Sequence, residues 1–144
     1  MSSDWSSDVC SSDLVIGVRA LSGEEVEYAD AAEHVSYVTA QTCIREQGTV
    51  INQISKTVRD AGSVYLSIDL DVLDPAYAPA VGNPHPEGVS VTCLMDLVDA
   101  VMAGNVVGLD LNEVYPHYDQ GNTATTAAYV VLESLYSLLR HQDG

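Results

Sequence analysis

The chain has 144 residues, enough for one domain, with 47% apolar and 18% charged positions. That balance excludes a disordered tail, a collagen-like repeat and a coiled coil, and no apolar run reaches the roughly 18 residues of a membrane span. With 21 acidic against 5 basic residues the formal charge is −16, a surface that repels phosphate backbones and argues against nucleic acid as a partner. Three Cys without a pairing pattern point to a reducing compartment. The single Lys, Lys56, fits either a salt-adapted source or an ordinary acidic surface.

Residues Met1–Leu14 read MSSDWSSDVCSSDL, with Ser-Ser-Asp three times and no basic or apolar region of a signal peptide. The segment reads as a translated adaptor or cloning scar, or as a disordered polar N-terminus, and is set aside from fold reasoning. If it is a scar, residues 15–144 are a fragment of a longer product.

From Val15 onward short apolar runs alternate with longer amphipathic ones. Val15–Arg19 reads as a strand, Ser22-Gly23-Glu24-Glu25 as a capping box opening a helix to about Glu33, and Ser36–Ala40 as a second strand. A helical turn is expected over Thr42–Gln47, stopped at Gly48. Val50, Ile51, Ile54, Val58 and Ala61 then recur at helical spacing, with Gly62 placed for the C-terminal cap. Val64–Leu70 is a strand, followed by a Pro-rich loop from Asp74 to Gly88, too long to be an idle connection. Ser90 caps a helix with Val91, Leu94, Leu97, Val98, Val101 and Met102 on one face. Val106–Leu111 is a strand. A terminal helix from about Thr123 to Leu139 is expected to turn Ala127, Ala128, Val131, Leu135 and Leu138 inward. Strands alternating with helices imply a three-layer α/β/α structure with a mainly parallel sheet, and in such sheets chemistry sits where strands end.

At one such end the sequence is Ser67-Ile68-Asp69-Leu70-Asp71-Val72-Leu73-Asp74-Pro75. Alternation along a strand sends Asp69 and Asp71 to the same side. Two carboxylates so placed repel each other, and a divalent cation would let both stay ionised; oxygen ligands favour hard ions such as Mn²⁺ or Mg²⁺. The bland reading, two solvated carboxylates capping a turn, fits the spacing equally well.

The wider string SIDLDVLDPAYAPAVGNPHPEGVS resembles the ureohydrolase signature of the arginase–agmatinase family, S-x-D-x-D-x-x-D-P followed by a Pro/Gly-rich loop. Val15–Arg19 resembles the family's glycine-arginine strand, Gly108–Pro116 (GLDLNEVYP) its strand ending in E-V-x-P, and Tyr118–Ala128 its YD…T–helix segment. The resemblance implies an arginase-like fold, incomplete here, with residues 15–144 the C-terminal part of a single domain. It implies two Mn²⁺ ions in the complete site, Asp69 bridging them and Asp71 ligating one. It places Glu113 against the substrate's guanidinium group, where a planar cation and a carboxylate pair through two hydrogen bonds. Asp74-Pro75 is assigned a structural role. The implied reaction is attack of a manganese-activated hydroxide on a small guanidino substrate, giving urea and an amine. Cytoplasmic location and a homo-oligomer for the full-length protein follow from the same resemblance.

Departures limit that inheritance. The family's upstream G-G-D-H and D-x-H-x-D ligands and its catalytic His have no counterpart here, so the chain alone is expected to be inactive. His34 is read as ending a helix, His141 as lying in a frayed tail, and His85 and His117 as loop residues outside the metal set. Asn83 and Glu87 stand where the family pattern has Thr and Gly, which puts the loop geometry in question. The strand carrying the missing cluster would lie beside Val64–Leu70. Its absence is expected to leave a gap, or a pairing with Val15–Arg19, and to expose strand edges and apolar helix faces. Tyr115-Pro116-His117-Tyr118-Asp119 resembles the agmatinase branch, with arginine and formimidoylglutamate as alternative substrates. Cys43 and Cys93 are read as small core residues. Two other classes are weighed. A non-catalytic interaction homologue would have no physical reason to retain three repelling acids, and a receiver-like signalling domain would need a Lys on a late strand, whereas Lys56 falls in a helix.

Overall fold

A computed structural model describes residues 12–143; the greater part of the polar segment set aside above lies outside the described residues. The elements in order are β1 (Asp13–Val18), α1 (Gly23–Ala31), β2 (Val35–Thr39), α2 (Ala40–Arg45), α3 (Gln47–Asp60), β3 (Val64–Asp69), a 3₁₀ turn (Leu70–Val72), α4 (Val91–Met102), β4 (Val106–Asn112), a second 3₁₀ turn (Pro116–Tyr118) and α5 (Asn122–Gln142). The strands are parallel, as the crossover helices require, but they form two separate two-stranded sheets, β1–β2 and β3–β4. The strand expected at Val15 starts at Asp13, whose amide donates to the His34 carbonyl at 2.8 Å. Of the two expected consequences of a missing strand, the gap is the one observed: β3 pairs with β4 and β1 with β2.

Local chemistry accounts for most boundaries. The Ser22–Glu25 capping box is complete, with both reciprocal hydrogen bonds in place. Thr39 caps α2 and Ser90 caps α4 through their hydroxyls. Gly48 does not stop a helix. The chain breaks at Glu46, whose carbonyl accepts from the Thr49 and Val50 amides and so launches α3, leaving Gly48 in its first turn.

The core sits between the inner face of β3–β4 and helices α3, α4 and α5. Ile68, Val50, Ile54, Leu97, Val98, Met102 and Val130 belong to it. Cys43 and Cys93 are buried there, and burial raises both thiols, Cys93 to about 11, which suits packing residues rather than nucleophiles. The other face of this sheet, carrying Tyr65, Ser67 and Asp69 opposite Gly108, Asp110 and Asn112, is largely exposed. Here Ser67 donates to Asp110 at 2.7 Å.

Helix α5 corrects the sequence reading. Its buried positions are Thr123, Ala127, Val130, Ser134 and Ser137, while Ala128 and Leu135 face solvent, Leu135 at 46% exposure. Small residues at spacings of three and four let α5 close on α4, where Ser137 donates to Asp99, while the Ser134 hydroxyl is satisfied within α5 by the Val130 carbonyl. The larger residues are left along a groove lined by Leu109, Leu111, Val131, Leu132 and Leu135.

Candidate carboxylate site at the strand ends

Asp69 is the last residue of β3, and the chain then leaves the strand for a 3₁₀ turn. Strand alternation therefore does not set the relation between Asp69 and Asp71. The Asp69 carboxylate accepts the Asp71 amide at 2.8 Å and caps the turn, holding the two residues together locally. Oδ2 of Asp71 accepts the Asn83 amide at 3.0 Å, while its Oδ1 is buried and has no hydrogen-bond partner. An orphaned carboxylate oxygen is costly in a folded protein and marks a position where a cation or donor would be favourable.

The Pro-rich loop returns to this turn because both of its ends are pinned. Asp74 accepts from Ala76 at 2.9 Å and from Gly88 at 3.2 Å, which bears out its structural role. Leu73 and Val89 form a parallel bridge, and a Cβ on Gly88 would strike the backbone of Leu73 and Asp74. Ala78, Ala80 and Val81 are buried, and the Ala80 amide donates to Thr123 at 2.9 Å, so the loop middle is anchored on the first turn of α5. Asp119 fixes that turn by accepting from Gly121, from the Thr123 amide and from the Thr123 hydroxyl. These bonds hold its carboxyl below the usual range. Glu87 adopts φ 63°. The loop thus keeps a left-handed residue at the position where the family pattern has Gly, with Glu bearing the strain.

Glu113 follows β4 and also has a positive φ, 65°. Its carboxylate lies over Gly82, where any Cβ would collide with it. The negative charge of the neighbouring Glu113 carboxylate raises the Tyr115 phenol, and the Tyr115 ring stacks on Tyr118 with ring centroids 5.2 Å apart. The Tyr115 amide donates to the Ala80 carbonyl at 3.0 Å and ties this segment to the loop. Partial loss of hydration holds the Asp69 carboxyl above the usual range, and repulsion from Asp71 and Glu113 adds to it, against the Asp71 amide and Arg19. Asp69, Asp71 and Glu113 thus meet at one end of the β3–β4 sheet.

The histidines stay out of this site. His85 has Nδ1 2.9 Å from the Pro86 carbonyl, and His117 is exposed in the second 3₁₀ turn. His34 lies in the turn before β2, past the end of α1 at Ala31, because the Ala32 amide already closes that helix on Tyr28. His141 is not frayed: it occupies the last turn of α5 with Nε2 3.4 Å from Asp99. Among the described residues no group of three or more His, Cys, Asp or Glu is arranged to hold a metal. The two carboxylates and the orphaned Asp71 oxygen fit a hard divalent cation in kind and fall short of a complete site in number.

Sequence reasoning missed the Asn83 amide, the Tyr115 ring beside Glu113 and, above all, Arg19. The Arg19 guanidinium donates to the Val72 carbonyl at 2.7 Å and to the Asp71 carbonyl. The available signal was Gly17-x-Arg19, a glycine and an arginine sharing a strand end.

Comparison with known proteins places this geometry in context. The sequence matches the family described as the Arginase family over residues 6–136. It is 44% identical to an agmatinase of Escherichia coli over 93 residues, covering 64% of this chain and 30% of that protein. The agmatine ureohydrolase of Thermoplasma volcanium superposes with TM-score 0.79 at 34% identity, covering 90% of this chain and 43% of that one. The formimidoylglutamase of Bacillus subtilis superposes with TM-score 0.77 at 30% identity over 87% of this chain and 40% of that one. The chain therefore spans less than half the length of these relatives.

Proposed function

The chain belongs to the arginase family, and from that premise we propose that it is the C-terminal part of a metal-dependent ureohydrolase acting on agmatine or a closely related guanidino-alkyl amine. The reading rests on one observation: a buried, unpartnered Asp71 oxygen beside Asp69, whose carboxyl is raised by partial loss of hydration and further by Asp71 and Glu113. Asp69 and Asp71 would hold manganese, completed by ligands beyond those of the described residues. Manganese, when bound, contributes Lewis acidity that makes water acidic near neutral pH. Glu113 would bind the guanidinium group through paired, charge-assisted hydrogen bonds, with the Tyr115 ring beside its carboxylate over Gly82. In the overall reaction water adds to the guanidino carbon, the bond to the alkyl nitrogen breaks, and urea and an alkylammonium ion leave. The agmatinase likeness of the Tyr115–Asp119 segment and the identity with the Escherichia coli enzyme support agmatine over arginine or formimidoylglutamate. No described helix is long and apolar enough to cross a membrane; a cytoplasmic location and a small guanidino substrate belong to the same reading.

The test is a nuclear magnetic resonance titration of this chain with agmatine, arginine and formimidoylglutamate. Agmatine is expected to shift the Gly82 and Glu113 amides saturably, and Glu113→Gln to abolish the effect. Equal shifts with all three compounds, or shifts that survive Glu113→Gln, would contradict the assignment. With manganese and agmatine the chain alone is expected to release no urea above a metal-free blank; release would show that the absent ligands are not required.

A further inference from the structure

The two sheets share no ladder among the described residues, yet the end of β1 touches the turn that carries Asp71. Gly17 makes the approach possible. It has φ 88°, lies at a register shift in β1, and any Cβ there would collide with Cγ2 of Val72. Two residues on, the Arg19 side chain crosses the gap and grips the carbonyls of Asp71 and Val72, more than fifty positions away in sequence. Its Nε is buried without a partner, so the two terminal nitrogens carry the hydrogen bonds of the guanidinium. The hydrogen bonds go to main-chain oxygens and spare the carboxylates. Arg19 therefore brings positive charge to a cluster of repelling acids and fixes the turn while consuming none of the oxygens a cation would need. Lys could supply the charge but not the two-pronged planar grip.

We propose that Arg19 is a positioning residue for the Asp69–Asp71 pair, acting from the neighbouring sheet by clamping the Leu70–Val72 turn, with Gly17 as the contact that admits it. The inference deepens the ureohydrolase reading and rests on it for its purpose.

Amide hydrogen exchange without metal reads the clamp directly. The reporters are Leu73, which donates to Leu70, Asn83, which donates to Asp71, and Val89, which donates to the same Val72 carbonyl as Arg19. In Arg19→Gln, which cannot keep both hydrogen bonds of the guanidinium, these amides are expected to exchange about tenfold faster or more, while amides of the β3–β4 ladder keep their rates. Arg19→Lys is expected to fall between, and Gly17→Ala to loosen the same three amides with Arg19 intact. Unchanged rates, or equal acceleration through the β3–β4 ladder, would overturn the inference. A manganese titration read by line broadening at the Asp71 amide separates position from charge. As a mere positive charge Arg19 would repel the cation, so its removal would tighten binding; as a clamp, Arg19→Gln should weaken it. Tighter binding in Arg19→Gln would overturn the proposal. Because exchange is measured without metal, its failure is distinguishable from failure of the manganese reading.

Discussion

The two parallel pairs of the molecule follow one β–helix–β logic and are held in unlike ways. In the β3–β4 half the crossover helix α4 buries seven residues, and the loop between β3 and α4 is bridged, capped and pinned at both ends. In the β1–β2 half the crossover helix α1 buries none and relies on its capping box. Secondary structure can thus be legible and locally capped without contributing much to the shared core, since most helical stability comes from packing an apolar face.

That contrast sets an order of expected effects. Leu73→Ala removes a fully buried side chain at the root of the loop and should cost about 3 kcal/mol in chemical denaturation. If it costs no more than a change in α1, the contrast between the halves fails. Gly88→Ala should cost about 1–3 kcal/mol by forcing the loop off the Leu73–Asp74 backbone, read by the same assay and by loss of the Asn83 amide's protection. Two carboxylates shifted in opposite directions sharpen the picture through pH. Asp69 is raised in the folded state, so its ionisation opposes folding: its stabilising share is present in acid and lost as pH rises through the folded value. Asp69→Asn is therefore expected to raise Tm at pH 7 and to match the wild type below the ordinary carboxylate range. Asp119 is lowered, so its share is present at neutral pH and lost in acid; Asp119→Asn should lower Tm at pH 7, with the difference closing as pH falls. Smallest is Ser22→Ala, about 1 kcal/mol by loss of a cap, and its exchange effect should stay within α1.

How much of this could be read beforehand depended on the range of the interaction. The capping box at Ser22, the Ser90 cap and the parallel strand order follow from neighbours in sequence or from handedness, and they stand. The placement of Asp69, Asp71 and Glu113 at or just past the ends of β3 and β4 was legible because a specific motif and a strand end carried them. Their geometry was not, because a single hydrogen bond donated by the Asp71 amide to the Asp69 carboxylate caps the turn in which the strand ends early. Helix α5 was misread because its sequence offers two stripes at helical spacing, and the one with small residues, which permits close approach to α4, is the buried one. Glu87 and Glu113 take left-handed backbones that no residue preference would assign. Arg19 was opaque for a different reason: its partners are carbonyl oxygens, which every residue possesses, on a segment distant in sequence.

The account turns on the acidic pair being a place for a cation rather than part of a generally acidic surface. Manganese-induced broadening of backbone amide signals, mapped across the whole chain, tests this most directly. Broadening centred on Asp71, Asn83 and Glu113 and lost in Asp71→Asn is the expected result. Broadening spread evenly over the acidic surface, unchanged in Asp71→Asn, would contradict it.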